Sequence, residues 1–184
     1  MDAISLLTAD HRDVEKRFKE FEEAGDRAYV TKGKVVESII ESLSVHAAIE
    51  EQIFYPAARR AVTDSTALVL ESLEEHHIVK WVLSELAGME PTDERFEAKV
   101  TVLIENVRHH VEEEEQELFP KIGKALSKEH LEDLGLQLEA ARKVAPTRPH
   151  PRAPDAGPAN LLVGLVSGGI DRARDCIKAV TPRR

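Results

Sequence analysis

The sequence predicts an all-α protein, an up-down four-helix bundle with extra helices at its C-terminal end. Apolar residues recur about every 3.6 positions through roughly the first 145 residues, which is typical of amphipathic helices. Glycine and proline interrupt this pattern at intervals of about one helix length, and the two halves of the region resemble each other. Because paired helical hairpins bury their apolar faces against one another, a bundle is the expected architecture.

The four expected bundle helices are separated by residues that stop helices. Gly25 ends the first helix, and Gly88 with Pro91 ends the third. Thr92 is expected to cap the fourth helix, since its hydroxyl can accept a hydrogen bond from the first turn. The approximate bounds are Ala3–Ala24, Gly33–Pro56, Ser65–Ala87 and Thr92–Pro120.

Three segments follow from the remaining pattern. A shorter helix from Lys128 to Lys143 is expected to complete the first unit, residues 1–145. Five prolines lie within residues 146–159 and exclude regular helix, so this segment is expected to be a linker or an extended strap. Residues 160–184 can form one more helix, with an apolar stripe from Leu162 to Val180.

Composition excludes several classes of function. The net charge of −9 repels phosphate backbones, and no basic stripe is present, so nucleic-acid binding is not expected. Cys176 is the single cysteine and is interpreted as a small hydrophobe, and one cysteine favours a reducing, cytoplasmic location. No secretory signal is recognised, and the longest apolar stretch, Leu161–Ile170, is too short to span a membrane.

The internal repeat is the strongest functional signal. In each half a lone histidine is followed, 35 or 34 residues later, by the pattern His-x-x-x-Glu-Glu. An aromatic-proline pair then follows at the same offset, Tyr55-Pro56 in one copy and Phe119-Pro120 in the other. The histidines and first glutamates of the two copies are His11, His46, Glu50, His76, His110 and Glu114.

These six residue types at this spacing predict a two-metal site. Residues i and i+4 share one helix face, so the histidine and glutamate of each pair can reach the same point. A carboxylate can bridge two metals while imidazoles complete each one, and this mixed nitrogen and oxygen set suits iron or manganese and tolerates zinc. A single His-x-x-x-Glu is ordinarily a surface pair, but two copies in register favour metal binding.

The repeat also selects among neighbouring candidates. It aligns His110, rather than His109, with His46. It aligns His76 with His11, so that His77 is expected beside the centre or at the surface. Among the glutamates of residues 112–115, Glu114 is expected to point inward while the others remain in water. Two further histidines outside the repeat are expected to be solvated, His130 and His150.

Tyr55 is the position where the two copies differ chemically, because its counterpart is Phe119. One interpretation is a core tyrosine whose hydroxyl is satisfied elsewhere. The other is a metal ligand, or a hydrogen-bond donor to an iron-bound oxygen. A regular helix would place Tyr55 about 140° from Glu50, which disfavours ligation. A π-bulge ahead of Pro56 would bring the two residues together.

These motifs closely resemble the hemerythrin-like family with its HHE cation-binding domain. The resemblance covers about residues 1–125, and the C-terminal strap and helix look like the tails of actinobacterial members. It is carried by Asp10-His11, His46 to Glu51 with Tyr55-Pro56, Glu75-His76-His77, and His110 to Glu115 with Phe119-Pro120. It implies an up-down bundle holding two non-haem iron ions, bridged by carboxylates and by an oxo or hydroxo group. It carries the ligand role onto the six repeat residues.

The sequence departs from the oxygen-carrying hemerythrins. Those proteins use five histidines, two of them four residues apart on one helix, whereas this chain has adjacent His76 and His77. Reversible oxygen carriage is therefore disfavoured. Ferritin-like carboxylate proteins need two Glu-x-x-His motifs, and only Glu74-x-x-His77 is found.

Three functions follow from this interpretation. The leading one is a di-iron protein, monomeric or weakly dimeric, that reacts with hydrogen peroxide, dioxygen or nitric oxide in catalase- or peroxidase-type detoxification, because the ligand set leaves open metal positions. The alternative is an oxygen- or iron-binding sensor, carrier or storage module without turnover. The third, an acidic structural bundle that dimerises through the stripe from Leu162 to Val180, leaves the repeat unexplained.

Overall fold

The computed structural model describes residues 1–152 and 167–175, and within these residues all regular structure is helical. The all-α prediction is therefore confirmed. The α-helices are α1 (Ala3–Glu23), α2 (Tyr29–Ile49), α3 (Tyr55–Ala61), α4 (Thr66–Leu86), α5 (Phe96–Glu113), α6 (Phe119–Ala125) and α7 (Lys128–Arg142). A π-helical turn joins α2 to α3 (Glu50–Phe54) and another joins α5 to α6 (Glu114–Leu118), while a 3₁₀ turn (Thr63–Ser65) precedes α4.

The π turns make continuous rods of α2 with α3 and of α5 with α6. In each rod a main-chain N–H bonds to the carbonyl five residues back, Tyr55 to Glu50 and Phe119 to Glu114. A proline follows each of these aromatic residues and would disturb an α-helical ladder, because it has no N–H and its ring crowds the preceding turn. The wider π turn accommodates it, so both rods continue past their prolines instead of ending there.

Two expected helix starts are displaced. The second helix begins at Tyr29 rather than near Gly33, and Lys32 is buried in its first turn, where it pairs with Glu97 at 2.5 Å. Thr92 does not cap the fourth helix, which begins at Phe96. A turn precedes it, in which an Asp93 carboxylate oxygen accepts the main-chain N–H of Glu90.

Two apolar clusters fill the bundle. One contains Val14, Phe18, Leu43 and Val107, and the other contains Leu7, Phe54, Phe119 and Leu138. The four repeat histidines lie between the two clusters along the chain; for example, His11 falls between Leu7 and Val14. Buried polar groups in this position are costly unless they are paired or bind an ion.

The α7 helix crosses α1 closely. A Cβ at Gly135 would lie 2.2 Å from the carbonyl oxygen of Met1, so only glycine permits this approach. A helical stretch at residues 167–175 contacts the end of α7 in the same way, since a Cβ at Gly168 would lie 2.0 Å from the carbonyl oxygen of Val144. Gly168 is thus required by packing.

The beginning of the predicted strap lies on this helical stretch. The buried Asp171 accepts hydrogen bonds from the main-chain N–H of Arg148 at 3.2 Å and from His150 Nε2 at 3.0 Å. His150, expected to be solvated, keeps 36% of its side chain exposed but is also bound by Asp171 from a distant part of the chain. The other parts of the predicted strap and final helix, including Cys176, lie outside the described residues. Within the described part of the chain, no helix is long and apolar enough to cross a membrane.

Candidate metal centre

The six repeat residues converge in the middle of the bundle. His11 lies on α1, His46 on α2, His76 on α4 and His110 on α5, while the two π turns begin at Glu50 and Glu114. All six are at most 7% exposed. Thus α1, α4 and the two rods each contribute at least one of these polar side chains to one level of the core.

The histidines form two pairs with their Nε2 atoms facing each other. The distance between the Nε2 atoms is 3.2 Å for His11 and His46 and 3.1 Å for His76 and His110. At this separation only a shared proton or a metal ion fits between the two Nε2 atoms, and both lone pairs point at it. Imidazoles that bind one metal ion together are typically arranged in this way. The structure thus contains two potential metal positions, each with two nitrogen donors.

Each glutamate spans both histidine pairs. Glu50 and Glu114 approach one histidine of each pair with the same oxygen, Oε2. Glu50 Oε2 lies 3.1 Å from His46 Nε2 and 3.4 Å from His76 Nε2. Glu114 Oε2 lies 3.4 Å from His11 Nε2 and 3.5 Å from His110 Nε2. A carboxylate shared between two positions is the geometry that a bridged two-metal centre requires.

The donor set fits metal ions on a second observation. Within the described residues, neither carboxylate oxygen of Glu50 and not the Oε2 of Glu114 takes part in a hydrogen bond, although all three are buried. An ionised carboxylate buried without partners is strongly unfavourable, and a cation in contact with these oxygens would remove that cost. Metal ions held by the imidazole pairs and these two carboxylates would satisfy the buried oxygens.

A π turn precedes Pro56, and Tyr55 lies at the centre. Its hydroxyl donates to Glu114 Oε1 at 2.9 Å and lies 3.2 Å from His76 Nε2. Its contact is therefore with the glutamate of the other copy, not with Glu50. Phe119 instead stacks on the His11 ring at a centroid distance of 5.7 Å. The two metal positions are consequently unequal, one beside a hydroxyl and the other beside an apolar ring.

A further acidic residue faces the outer nitrogen of each histidine. Such a partner holds the Nδ1 proton, so that the Nε2 lone pair points to the centre, and makes the imidazole a stronger donor. The Nδ1-to-oxygen distances are 2.9 Å for His11 and Glu115, 3.4 Å for His46 and Asp10, 3.1 Å for His76 and Glu51, and 2.7 Å for His110 and Glu75.

The sequence analysis missed these four carboxylates, although the repeat contained them. Asp10 and Glu75 each precede the first histidine of a copy, and Glu51 and Glu115 each follow its glutamate. Glu115 was expected to remain in water; its side chain is 39% exposed but still contacts His11. Pairing across the copies depends on how the helices face each other, which a linear pattern does not state.

The family is decided by a comparison of the sequence with protein-family models. The model of the hemerythrin HHE cation-binding domain matches residues 2–122. The chain belongs to this family. Metal binding, an expected property of such a domain, agrees with the cluster of buried histidines and glutamates.

Individual relatives are distant. A hemerythrin-like protein of Schizosaccharomyces pombe, described as uncharacterized, is 28% identical over 170 residues, which are 92% of this chain and 83% of the relative. A DNA nickase of Nostoc is 27% identical over 157 residues, 85% of this chain but only 44% of the nickase. A crystal structure of an HHE cation-binding domain-containing protein from Mycobacterium kansasii has a TM-score of 0.66 at 22% identity, covering 78% of this chain and 86% of that one, and supports the hemerythrin-like fold.

Charges are distributed unevenly in this hemerythrin-like centre. Burial lowers the pKa of His46 to about 4 and also lowers the pKa of His76, so both rings are neutral at neutral pH. Burial, together with the charge of Glu114, raises the pKa of Glu50 well above its usual value. Although burial opposes it, the histidines around Glu114, His110 first, hold the pKa of that carboxyl far below its usual value. Protons on this set must leave when metal binds.

Two basic residues hold the outer carboxylates in place. Lys80 is buried and its ammonium lies 3.0 Å from Glu51. The Arg142 guanidinium from α7 forms an ion pair with Asp10. The outer partners of His76 and His46 are therefore fixed from a second side.

The remaining histidines of the bundle lie away from the centre. The His109 side chain is 65% exposed, against 6% for His110. His77 accepts a hydrogen bond from the Trp81 indole N–H at 3.1 Å, and its neighbour His76 faces the core. His130 is exposed, as predicted.

Proposed function

We propose that this chain holds two carboxylate-bridged non-haem iron ions and reacts with a small oxidant, hydrogen peroxide, dioxygen or nitric oxide, in catalase- or peroxidase-like detoxification. The observation that supports this most directly is the number of donors. Two imidazoles and two carboxylates come together at one position, and two imidazoles with Glu50 come together at the other, so a six-coordinate ion would keep about two or three positions open. Iron would supply the redox chemistry, and an open position allows a small oxidant to bind.

The side chains around the ions have separate roles in this proposal. The outer carboxylates hold each imidazole in the tautomer that donates through Nε2. Tyr55 keeps an O–H group beside Glu114 and His76, where it can donate a hydrogen bond or a proton to an incoming oxygen. The buried apolar clusters shield the centre from water at its two ends along the bundle.

The experiment is peroxide consumption by iron-loaded protein, followed by oxygen release and by oxidation of an added reductant. The double variant His46→Gln with Glu114→Gln is expected to lose metal and activity together. His130→Gln with Glu132→Gln, which makes the same types of change at two exposed residues outside the metal-binding groups, is the control and is expected to change neither. Activity no higher than that of free iron at equal concentration would contradict the proposal.

A second candidate, a sensor without turnover, is favoured by the contact between the C-terminal segment and the centre. Arg172 donates to the main-chain carbonyl of Arg142 at 2.8 Å, Arg142 pairs with Asp10, and Asp10 faces His46. Movement of the segment would thereby reach a metal ligand. A spectral change under dioxygen that reverses on degassing, without peroxide consumption, would support this candidate over the first.

DNA cleavage is not part of the proposal. The chain covers only 44% of the Nostoc nickase, so the nicking activity can belong to the rest of that protein. The net charge of −9 also repels a phosphate backbone.

A further inference from the structure

A cavity of about 490 Å³ adjoins the centre on the side of α1, α2 and α7. All four histidines of the centre line it: His11, His46, His76 and His110. Because one water occupies about 30 Å³ of liquid, peroxide or dioxygen would fill only a small part of this space. Sites for small organic molecules typically measure about 300–1,000 Å³. The volume of the cavity therefore matches a small organic ligand better than peroxide or dioxygen.

The wall next to the histidines is apolar. Val14, Leu43, Val79 and Val107 line the cavity and keep between 4% and 7% of their surface exposed, within an otherwise closed cluster. Aliphatic side chains without donors or acceptors favour a hydrocarbon group. A ligand that is polar throughout would leave its own groups without partners there.

The outer part of the cavity is charged and carries an excess of positive groups. Its basic residues are Arg17, Arg142, Lys143 and Arg172, and its acidic residues are Asp10, Asp13 and Glu41. Among the described residues, Arg17 pairs with Asp13 and Arg142 pairs with Asp10. These pairs leave two basic residues, Lys143 and Arg172, against one acidic residue, Glu41.

Arg172 reaches this position from the helical stretch at residues 167–175. Its guanidinium donates to two main-chain carbonyls, those of Arg142 at 2.8 Å and Ala145 at 3.3 Å. These neutral acceptors hold the side chain at the cavity without cancelling its charge. A positive group fixed in this way can still attract an anion.

We propose that the cavity binds a small organic carboxylate with a hydrocarbon chain. Its carboxylate lies against Lys143 and Arg172, and its chain extends along the valines toward the histidines of the centre. The occupant is thus an amphipathic monoanion of the medium-chain fatty acid type, rather than an inorganic anion. This inference does not depend on turnover of an oxidant, because it rests on the shape and charge of the cavity.

The test is calorimetric titration of the iron-loaded full chain with octanoate, octan-1-ol and acetate. Octanoate is expected to bind at least tenfold more tightly than either of the others, since only it uses both the cationic and the apolar parts. If acetate bound as tightly as octanoate, the carboxylate would be binding to the metal without use of the apolar wall. Octanol equal to octanoate would mean a non-specific apolar cavity. Either result overturns the proposal.

Variants locate the ligand in the cavity. Arg172→Gln with Lys143→Gln is expected to weaken octanoate binding at least tenfold, whereas Lys128→Gln, an 82% exposed lysine outside the cavity lining, is the matched control and should leave it unchanged. Ser42→Phe fills the cavity from its lining and should weaken binding without altering these charges. Unchanged affinity in both cavity variants, with thermal unfolding like that of the wild type, overturns the assignment. Peroxide consumption measured in parallel keeps this result separate from the proposed function.

Discussion

Removal of the Tyr55 hydroxyl tests the asymmetry of the centre most directly. Tyr55→Phe deletes a donor that lies 2.9 Å from Glu114 Oε1 and 3.2 Å from His76 Nε2, while the ring can stay in place. A hydrogen bond to a charged group contributes about 1.5–3 kcal/mol. The metal-free variant is therefore expected to lose about 2 kcal/mol of its free energy of unfolding, because a buried carboxylate oxygen loses its donor.

The same change is expected to slow peroxide consumption by the iron-loaded protein by about 10²-fold, the lower end of the effect of a positioned proton donor. Iron content should stay near that of the wild type, since both imidazole pairs and both carboxylates remain. Unfolding in denaturant measures the first effect, and initial rates at equal iron content measure the second.

Phe119→Tyr is the matched control, because it adds a hydroxyl at the equivalent position of the other copy. The double variant Tyr55→Phe with Phe119→Tyr restores the count of hydroxyls but moves the group next to His11, on which Phe119 stacks. We expect it to remain slow. A Tyr55→Phe variant with wild-type stability and rate, or a double variant with full rate, would refute the assigned role of Tyr55.

Three further results are expected. Glu75→Gln should lower metal affinity about 10–100-fold, because it weakens the acceptor 2.7 Å from His110 Nδ1. Metal competition with a chelator measures this, and Glu112→Gln, a change of the same type at an exposed residue, should have no effect. Burial lowers the pKa of His46 from 6.5 to about 4, so between these pH values the unfolded chain binds more protons than the folded protein. The free energy of unfolding of the metal-free protein should therefore decrease by up to about 3 kcal/mol as the pH falls from 6.5 to 4. His46→Gln should lack this contribution, and parallel pH profiles of the two proteins would disprove it. Gly168→Val should detach the C-terminal helical stretch, since the new side chain would meet the carbonyl of Val144. Proteolysis of that segment should then be faster than in the wild type, and equal rates would contradict the packing. Gly169→Val is the control, because a side chain there enters open space.

Because of the repeat, the sequence alone predicted the candidate ligands one by one. Histidine and glutamate four residues apart fix a shared helix face whatever the rest of the fold does, so the choice of His110 over His109 followed from alignment of the two copies. The structure buries the first and exposes the second. A π turn ahead of Pro56 was only one alternative in the sequence, considered because it would bring Tyr55 to Glu50. The structure contains the turn, but Tyr55 bonds to Glu114 instead.

Two other features were predicted less well from the sequence, one because of a local turn and one because of a contact between distant segments. Thr92 had the right chemistry for a cap, but the turn around Asp93 moved the helix start to Phe96. His150 looked solvated because its partner Asp171 lies 21 residues away, beyond the prolines.

The sequence by itself determined the helices, the repeat, the six candidate ligands and the chemical difference between Tyr55 and Phe119, because each depends on residue type and on spacing along one helix. Only the tertiary structure decided what that difference does. Tyr55 reaches Glu114 of the other copy, and the outer carboxylates Glu51 and Glu115 pair across the copies. These contacts depend on the packing and rotation of the rods about one another, which is set by the whole apolar core rather than by any local pattern.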